Sequence, residues 1–299
     1  MKAYIVNSFT ENNYGGNKAG VVLCKENPQL NFMKSTASRL NFSETAFIIP
    51  SNNVNYDYEL RFFTPEKEVE LCGHATIASF FLLHKLGIIK YTDKTIKLKQ
   101  KTKAGILNIN ISVDKNNSVE VFMEQGIARF YEEIENLDLL AQMLSISRNS
   151  IGIDGHILLP QIVSTGLKDI ILPVKSLQVL KDINPDFNLM KSFTDNLDIT
   201  GIHVFTLETE NGSSDTATRN FAPSVGIPEE SATGTSNGAL CAYLMKNKVI
   251  PYINQLNIKC EQGYYMKNPS SILCQGTQID GEYHINVGGN AVLEKAVDI

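Results

Sequence analysis

Two stretches of the chain repeat one pattern, in which an aromatic strand end, a proline and an acidic loop lead to a glycine and an apolar helix. The first copy lies within residues 62–87 and has Gly73 as its glycine, and the second lies within residues 221–249 and has Gly234. Few residues are identical between the copies, but the order of features is the same. The repeat predicts two similar halves, each organised around one helix.

A glycine at a helix start is suited to binding an anion. Without a side chain, the backbone can approach a ligand closely. The first N–H groups of a helix lack internal partners, and the helix dipole places partial positive charge there. Two such starts facing each other would hold a carboxylate or stabilise an enolate formed from it. The alternative is that both are ordinary helix caps.

Composition narrows the class of protein and of partner. The chain has 299 residues, of which 43% are hydrophobic and 20% charged, as in soluble globular proteins. The formal net charge of -5 argues against nucleic acid or an anionic membrane as the main partner. The negative net charge does not argue against a small anionic substrate, because a single pocket can be positive in an acidic protein. The longest apolar run, near residues 79–83, is too short to span a membrane.

The cysteines and histidines predict neither disulfides nor a metal. The five cysteines are an odd number without a CxxC pair, and no secretory signal precedes MKAYIVNSF. This pattern favours free thiols and a cytoplasmic location. The five histidines are scattered, and no histidine–cysteine spacing is typical of zinc, so we expect no protein-bound metal.

Glu44 is the first candidate for proton transfer. It lies in the segment NFSETAFI, between apolar residues and next to Ser43. Burying a carboxylate is costly unless it is paired or protonated, and such a setting is typical of a general acid/base. The alternative is a solvent-facing glutamate on an edge strand.

Six blocks of the chain carry a family resemblance. They read GGNKAGVVL, NFSETAFI, RFFTPEKEVELCGHATIAS, VSTGLKDIILPV, GIPEESATGTSNGALCAYL and INVGGNAV. In order and spacing they resemble the phenazine-biosynthesis isomerases, or PhzF-like proteins. The resemblance implies the two-lobed α+β fold of diaminopimelate epimerase. In that fold each lobe is a mixed or antiparallel β-barrel-like sheet around a central helix, with the active site between the lobes. We expect one lobe from residues 1–120 plus about 287–299, and the other from 121–286.

The resemblance also implies the site. In the family a proton is shifted on a dihydro-hydroxyanthranilate ring without a cofactor, and a homodimer is usual. By position, Glu44 is the main acid/base, His74 assists it, and Glu230 takes the place of a catalytic aspartate. The substrate would be a small carboxylate. The expected substrate-binding residues are Ser43, Cys72, Gly73, Gly234 and Thr235.

Three positions depart from the family pattern. Glu230 replaces an aspartate, Ser231 a proline and Thr235 a serine, which favours a different substrate shape. Related epimerases use a cysteine at each helix start, whereas here Cys72 is matched by Thr233. A hydroxyl cannot replace a thiolate as a base.

We therefore expect a cofactor-independent isomerase that moves a proton on a small carboxylate, which can be cyclic. An amino-acid or hydroxy-acid epimerase and a non-catalytic anion-binding protein remain the alternatives. Cys72 is then either a catalytic group or a residue that lines the site.

Overall fold

The computed structural model describes residues 1–89, 95–113 and 118–299, which form a mixed α+β fold. The chain divides into two compact units. The first consists of Met1–Glu124 and Gly288–Ile299, and the second of Gln125–Val287. No helix of the described residues is long and apolar enough to cross a membrane.

Among its described residues, the first unit contains two helices and nine strands. The strands are β1 Lys2–Ser8, β2 Asn17–Leu23, β3 Glu44–Pro50, β4 Tyr58–Phe63, β5 Glu68–Val69, β6 Thr95–Thr102, β7 Gly105–Val113, β8 Val119–Glu124 and the carboxy-terminal β18 Ala291–Asp298. The helices are α1 Leu30–Leu40 and α2 Gly73–Lys85.

Strand pairing in this unit is mixed. Strand β1 lies between β2 and β18 and is antiparallel to both, whereas β2 and β3 are parallel. Strand β4 is antiparallel to β3 and parallel to β6. The parallel pair places Glu44, the first residue of β3, opposite Ala19, so that it lies near Asn17 at the start of β2.

Helix α2 is the centre of the first unit. Its residues from His74 to Leu83 are all buried, and it contacts β1, β2, β3, β8 and β18. A helix that is apolar on all faces is typical of one enclosed by protein. The hydroxyl of Ser8 donates to the carbonyl oxygen of His74 at 2.7 Å, which ties the helix start to β1.

The second unit repeats this plan with additional helices. Its strands are β9 Arg129–Glu133, β10 Gln161–Ser164, β11 Lys168–Pro173, β12 Gly201–Thr206, β13 Thr216–Ala222, β14 Ile227–Glu230, β15 Gln255–Gln262, β16 Ser270–Ile279 and β17 Glu282–Gly289. Its helices are α3 Leu137–Leu144, α4 Leu177–Asp182, α5 Phe187–Asn196 and α6 Gly234–Lys246. Short 3₁₀ turns occur at Arg148–Ser150, Pro223–Val225 and Tyr264–Met266.

Helix α6 occupies the place that α2 has in the first unit. Both helices are 13 residues long, and α6 contacts β10, β11, β12, β15 and β16. The sheet around it is again mixed, because β11 is parallel to β12 and β13 is parallel to β15. Helices α3, α4 and α5 add a separate apolar cluster with β11 and β12. The predicted α+β fold, with one central helix in each half, is confirmed.

Candidate active site

In the first unit, the predicted residues Ser43, Glu44, Cys72 and His74 meet at the start of α2. Cys72 is the residue before the helix, and Gly73 is its first residue. His74 Nε2 lies 3.3 Å from Glu44 Oε2 and 3.4 Å from Ser43 Oγ. We call Ser43, Glu44, Cys72 and His74 the α2 cluster.

Asn17, for which the sequence predicted no chemical role, completes the geometry around His74. The side-chain amide of Asn17 lies 3.3 Å from His74 Nδ1, where it can donate to the ring. A ring that accepts at Nδ1 carries its proton on Nε2, which then donates to the Glu44 carboxylate. These partners thus assign the tautomer of His74.

His74 is held in the neutral form. Burial lowers the pKa of His74, and the neighbouring Glu44 carboxylate opposes that shift only in part. The side chain of Glu44 is 18% exposed and that of His74 is 7% exposed, so Glu44 is the more accessible of the two. The alternative of an edge-strand glutamate is wrong, because β3 pairs with strands on both sides.

Cys72 lies against the imidazole ring. Its Sγ atom is 3.5 Å from Nδ1 and 3.8 Å from Nε2 of His74. Donor atoms of Glu44, Cys72 and His74 lie within 4.8 Å of one another, close enough to hold a metal ion. Sequence spacing did not show this group, because Glu44 is far from the other two in the chain. Both ring nitrogens already have hydrogen-bond partners, and the arrangement is that of a hydrogen-bonded cluster.

The backbone conformation at residue 73 does not require a glycine, because its φ lies outside the left-handed region. Among the residues that the structure describes, a Cβ atom added there would meet the methyl of Met123 at 3.7 Å, which is an ordinary contact. The space beside the helix start therefore stays accessible to a ligand because residue 73 has no side chain.

In the second unit, Glu230 is the last residue of β14 and lies opposite Asn220 on β13. Its Oε2 accepts a hydrogen bond of 2.8 Å from the hydroxyl of Thr233, the residue before α6. The neighbouring Glu229 forms two bonds of 2.9 Å with Arg219. The side chains of Glu229 and Glu230 are thus held by hydrogen bonds within the second unit and do not simply extend into solvent.

Comparisons with known proteins decide the family. The sequence model described as "Phenazine biosynthesis-like protein" (PhzC-PhzF) matches residues 6–296. The chain belongs to the PhzF family. An uncharacterized isomerase of Clostridium acetobutylicum is 34% identical over 295 residues, which cover 97% of this chain and 95% of the relative. The uncharacterized isomerase YfhB of Bacillus subtilis is 34% identical over 287 residues, covering 95% and 94%.

Solved structures agree with the PhzF assignment. A Bacillus anthracis phenazine biosynthesis protein of the PhzF family matches with a TM-score of 0.89 and 26% identity, over 100% of this chain and 98% of that one. A probable proline racemase from Agrobacterium radiobacter matches with a TM-score of 0.65 at 10% identity, over 100% and 92%, which shows a shared fold alone. The predicted family and the epimerase-like fold are confirmed.

The positions that depart from the PhzF pattern have defined contacts. Ser231 Oγ accepts a 3.0 Å bond from the Asn268 amide. The backbone carbonyl of Thr235 accepts a 3.1 Å bond from the hydroxyl of Thr165. Gly234 begins α6. The roles of Gly234 and Thr235 in substrate binding stay predictions.

A buried carboxyl at the first turn of α6 was not predicted. Asp169 is 1% exposed, and the hydroxyl of Ser236 donates to its Oδ2 at 2.7 Å. Burial raises the pKa of Asp169 to about 6, against hydrogen bonds from Ser236 and the Gly201 backbone. Both central helices of this PhzF protein thus begin beside a carboxyl of their own unit, which uses part of the positive potential there.

Proposed function

We propose that the protein is a cofactor-independent isomerase that moves a proton on a small substrate bearing a carboxylate, and that the substrate can be cyclic. The observation that carries this proposal is the contact of Glu44 with neutral His74 at the start of α2. The names of relatives, which are called isomerases, support the reaction class.

Glu44 would act as the base in this reaction. Its carboxylate accepts a proton from an acidic C–H of the substrate, and the electron pair stays on the substrate as an enolate. A proton is then returned to another carbon, so the isomerisation consumes no oxidant or reductant. His74 orients Glu44 through Nε2–H, and N–H groups at the α2 start stabilise the developing negative charge. Glu230 is the candidate acid/base of the second unit.

The proposed assay follows hydrogen exchange. The protein is incubated in deuterated water with a panel of diene and hydroxy-anthranilate-like acids, and mass spectrometry and NMR detect shifted or solvent-derived hydrogen. We expect Glu44→Gln to slow turnover by roughly 10²-fold or more, since general-base catalysis contributes about that much. Glu59→Gln is the control, because Glu59 is a partly exposed residue of β4 that pairs with Lys101 and does not belong to the α2 cluster. Turnover by Glu44→Gln at the rate of the unmodified protein would show that Glu44 is not the base.

An epimerase is the second candidate, because Cys72 stands at the start of α2 beside His74. The matching Thr233 hydroxyl is engaged with Glu230 and Gln262, which speaks against a second base there. Racemisation of an amino acid that Cys72→Ser abolishes would favour the epimerase. Tight binding of an anionic acid without turnover would favour a binding protein. The homodimer implied by the resemblance and the cytoplasmic location favoured by the cysteine pattern stay predictions.

A further inference from the structure

A buried side-chain amide lies next to Glu230 in the second unit. Gln262, the last residue of β15, is 1% exposed. Its Oε1 accepts from the backbone N–H of Thr233 at 3.2 Å and from the Asn237 amide at 2.8 Å. Its Nε2 donates to the Glu230 carbonyl oxygen at 2.7 Å and to Thr233 Oγ1 at 3.0 Å. Both acceptor positions and both donor positions of the amide are therefore used.

Backbone groups fix the orientation of this amide. The N–H of Thr233 can only donate and the carbonyl of Glu230 can only accept, so the oxygen and nitrogen of Gln262 cannot be exchanged. The Thr233 hydroxyl accepts from Gln262 and has one proton of its own to give. That proton points to Glu230 Oε2, at 2.8 Å.

We propose that Gln262 and Thr233 are positioning residues that keep Oε2 of Glu230 as a hydrogen-bond acceptor and so fix the place of this carboxyl at the start of α6. The inference rests on the proposed function, in which Glu230 is an acid/base group. A proton that leaves a substrate carbon would bond to the Glu230 carboxylate while the C–H electron pair stays on the substrate, and the reverse step would return it.

The inference gives a reason for a threonine at the start of α6. A thiol at this position is a weak hydrogen-bond donor, whereas a hydroxyl donates well to a carboxylate. The neighbouring acids are engaged elsewhere. Glu229 is paired with Arg219, and Glu261 accepts from the backbone N–H groups of residues 210 and 211.

The test uses Thr233→Val, which keeps the shape of the side chain and removes the hydroxyl, and Thr233→Ser, which keeps the hydroxyl. Carbon NMR of labelled glutamate follows the carboxyl titration, and Glu230→Gln assigns the signal. Losing a donor to the charged form should raise the Glu230 titration midpoint by about one unit in Thr233→Val. Thr233→Ser should restore the original midpoint.

Thr194→Val is the control, because Thr194 is a buried threonine of the second unit whose hydroxyl donates to a backbone carbonyl in α5. It should leave the Glu230 midpoint unchanged. With a substrate from the exchange assay, Thr233→Val should lower kcat about tenfold or more and keep KM within about twofold, as expected for loss of one charge-assisted hydrogen bond.

The two proposals fail separately. An unchanged Glu230 midpoint in Thr233→Val would overturn the positioning role, whatever the enzyme does to its substrate. A raised midpoint together with normal turnover by Glu44→Gln would leave the positioning role intact and reject the proposed base.

Discussion

Asp169 is the buried carboxyl whose protonation should affect stability most directly. Its pKa is raised from 3.8 to about 6 because burial disfavours the charged form. Between these two pH values the folded protein holds a proton that the unfolded chain has lost. The free energy of unfolding therefore falls as pH rises from about 4 to about 6. Above that range the contribution of Asp169 to it is constant.

Asp169→Asn should remove this dependence. Relative to the unmodified protein, its free energy of unfolding should rise by up to about 3 kcal/mol between pH 4 and pH 7, since one pKa unit corresponds to about 1.4 kcal/mol. The amide also changes the bond to the Gly201 backbone, but that cost is the same at every pH. Urea denaturation followed by circular dichroism suits a chain without tryptophan.

Asp154→Asn, which alters a carboxyl that is 86% exposed, is the control and should leave the pH profile unchanged. A parallel pH profile for Asp169→Asn would mean that Asp169 does not titrate near pH 6 in the folded protein.

At the level of single residues, the sequence predicted Glu44 and His74 as site residues, because both lie in short motifs whose residue types suit proton transfer. It predicted no chemical role for Asn17, and it did not predict Asp169 or Gln262. Each of these three acts through a partner far along the chain, and nothing in the local sequence distinguishes it from an ordinary strand residue.

Among the elements, the start of α2 offers a test that separates stability from function. Gly73→Ala places a Cβ atom in ordinary contact with Met123, and alanine is the better helix former by up to about 1 kcal/mol. We expect the melting temperature to stay the same or rise. Turnover in the exchange assay should fall roughly tenfold, because the methyl group occupies space through which a ligand approaches the backbone.

Gly201→Ala is the contrasting variant for Gly73→Ala. Its added Cβ would lie 2.0 Å from the carbonyl oxygen of Phe221, so β12 and β13 would have to separate. It should lower the melting temperature clearly. If Gly73→Ala were destabilised to a similar extent, the glycine would serve the fold and not the approach of a ligand.

Both central helices were predictable because their signals are local: a glycine start, an apolar run and a basic last residue. The strand partners were not. In the parallel pairs β2–β3 and β13–β15, other elements lie between the two strands along the chain. The hydrophobic periodicity of a segment indicates a strand but does not identify the strand with which it pairs. The residues that surround each helix therefore came from the structure alone.

For the whole molecule, the two ends of the chain belong to one unit. Strand β18 pairs with β1 from Lys2 opposite Asp298 to Ser8 opposite Ala291. Val297 and Ile299 also pack against an apolar cluster that includes Met33. The first unit can therefore complete its sheet and its core only after residues 291–299 have been made.

Removing residues 291–299 should thus unfold the first unit in particular. Without β18, one side of β1 loses its backbone partners, and the apolar cluster around Met33 loses part of its cover. Hydrogen exchange with mass spectrometry should show lost protection in β1 and α2, while β11 and β12 of the second unit, with their own apolar cluster, remain protected. The full-length variant Lys295→Gln, which changes only an exposed charge on β18, should match the unmodified protein. Equal protection of β1 in the truncated and full-length chains would show that the first unit does not depend on β18.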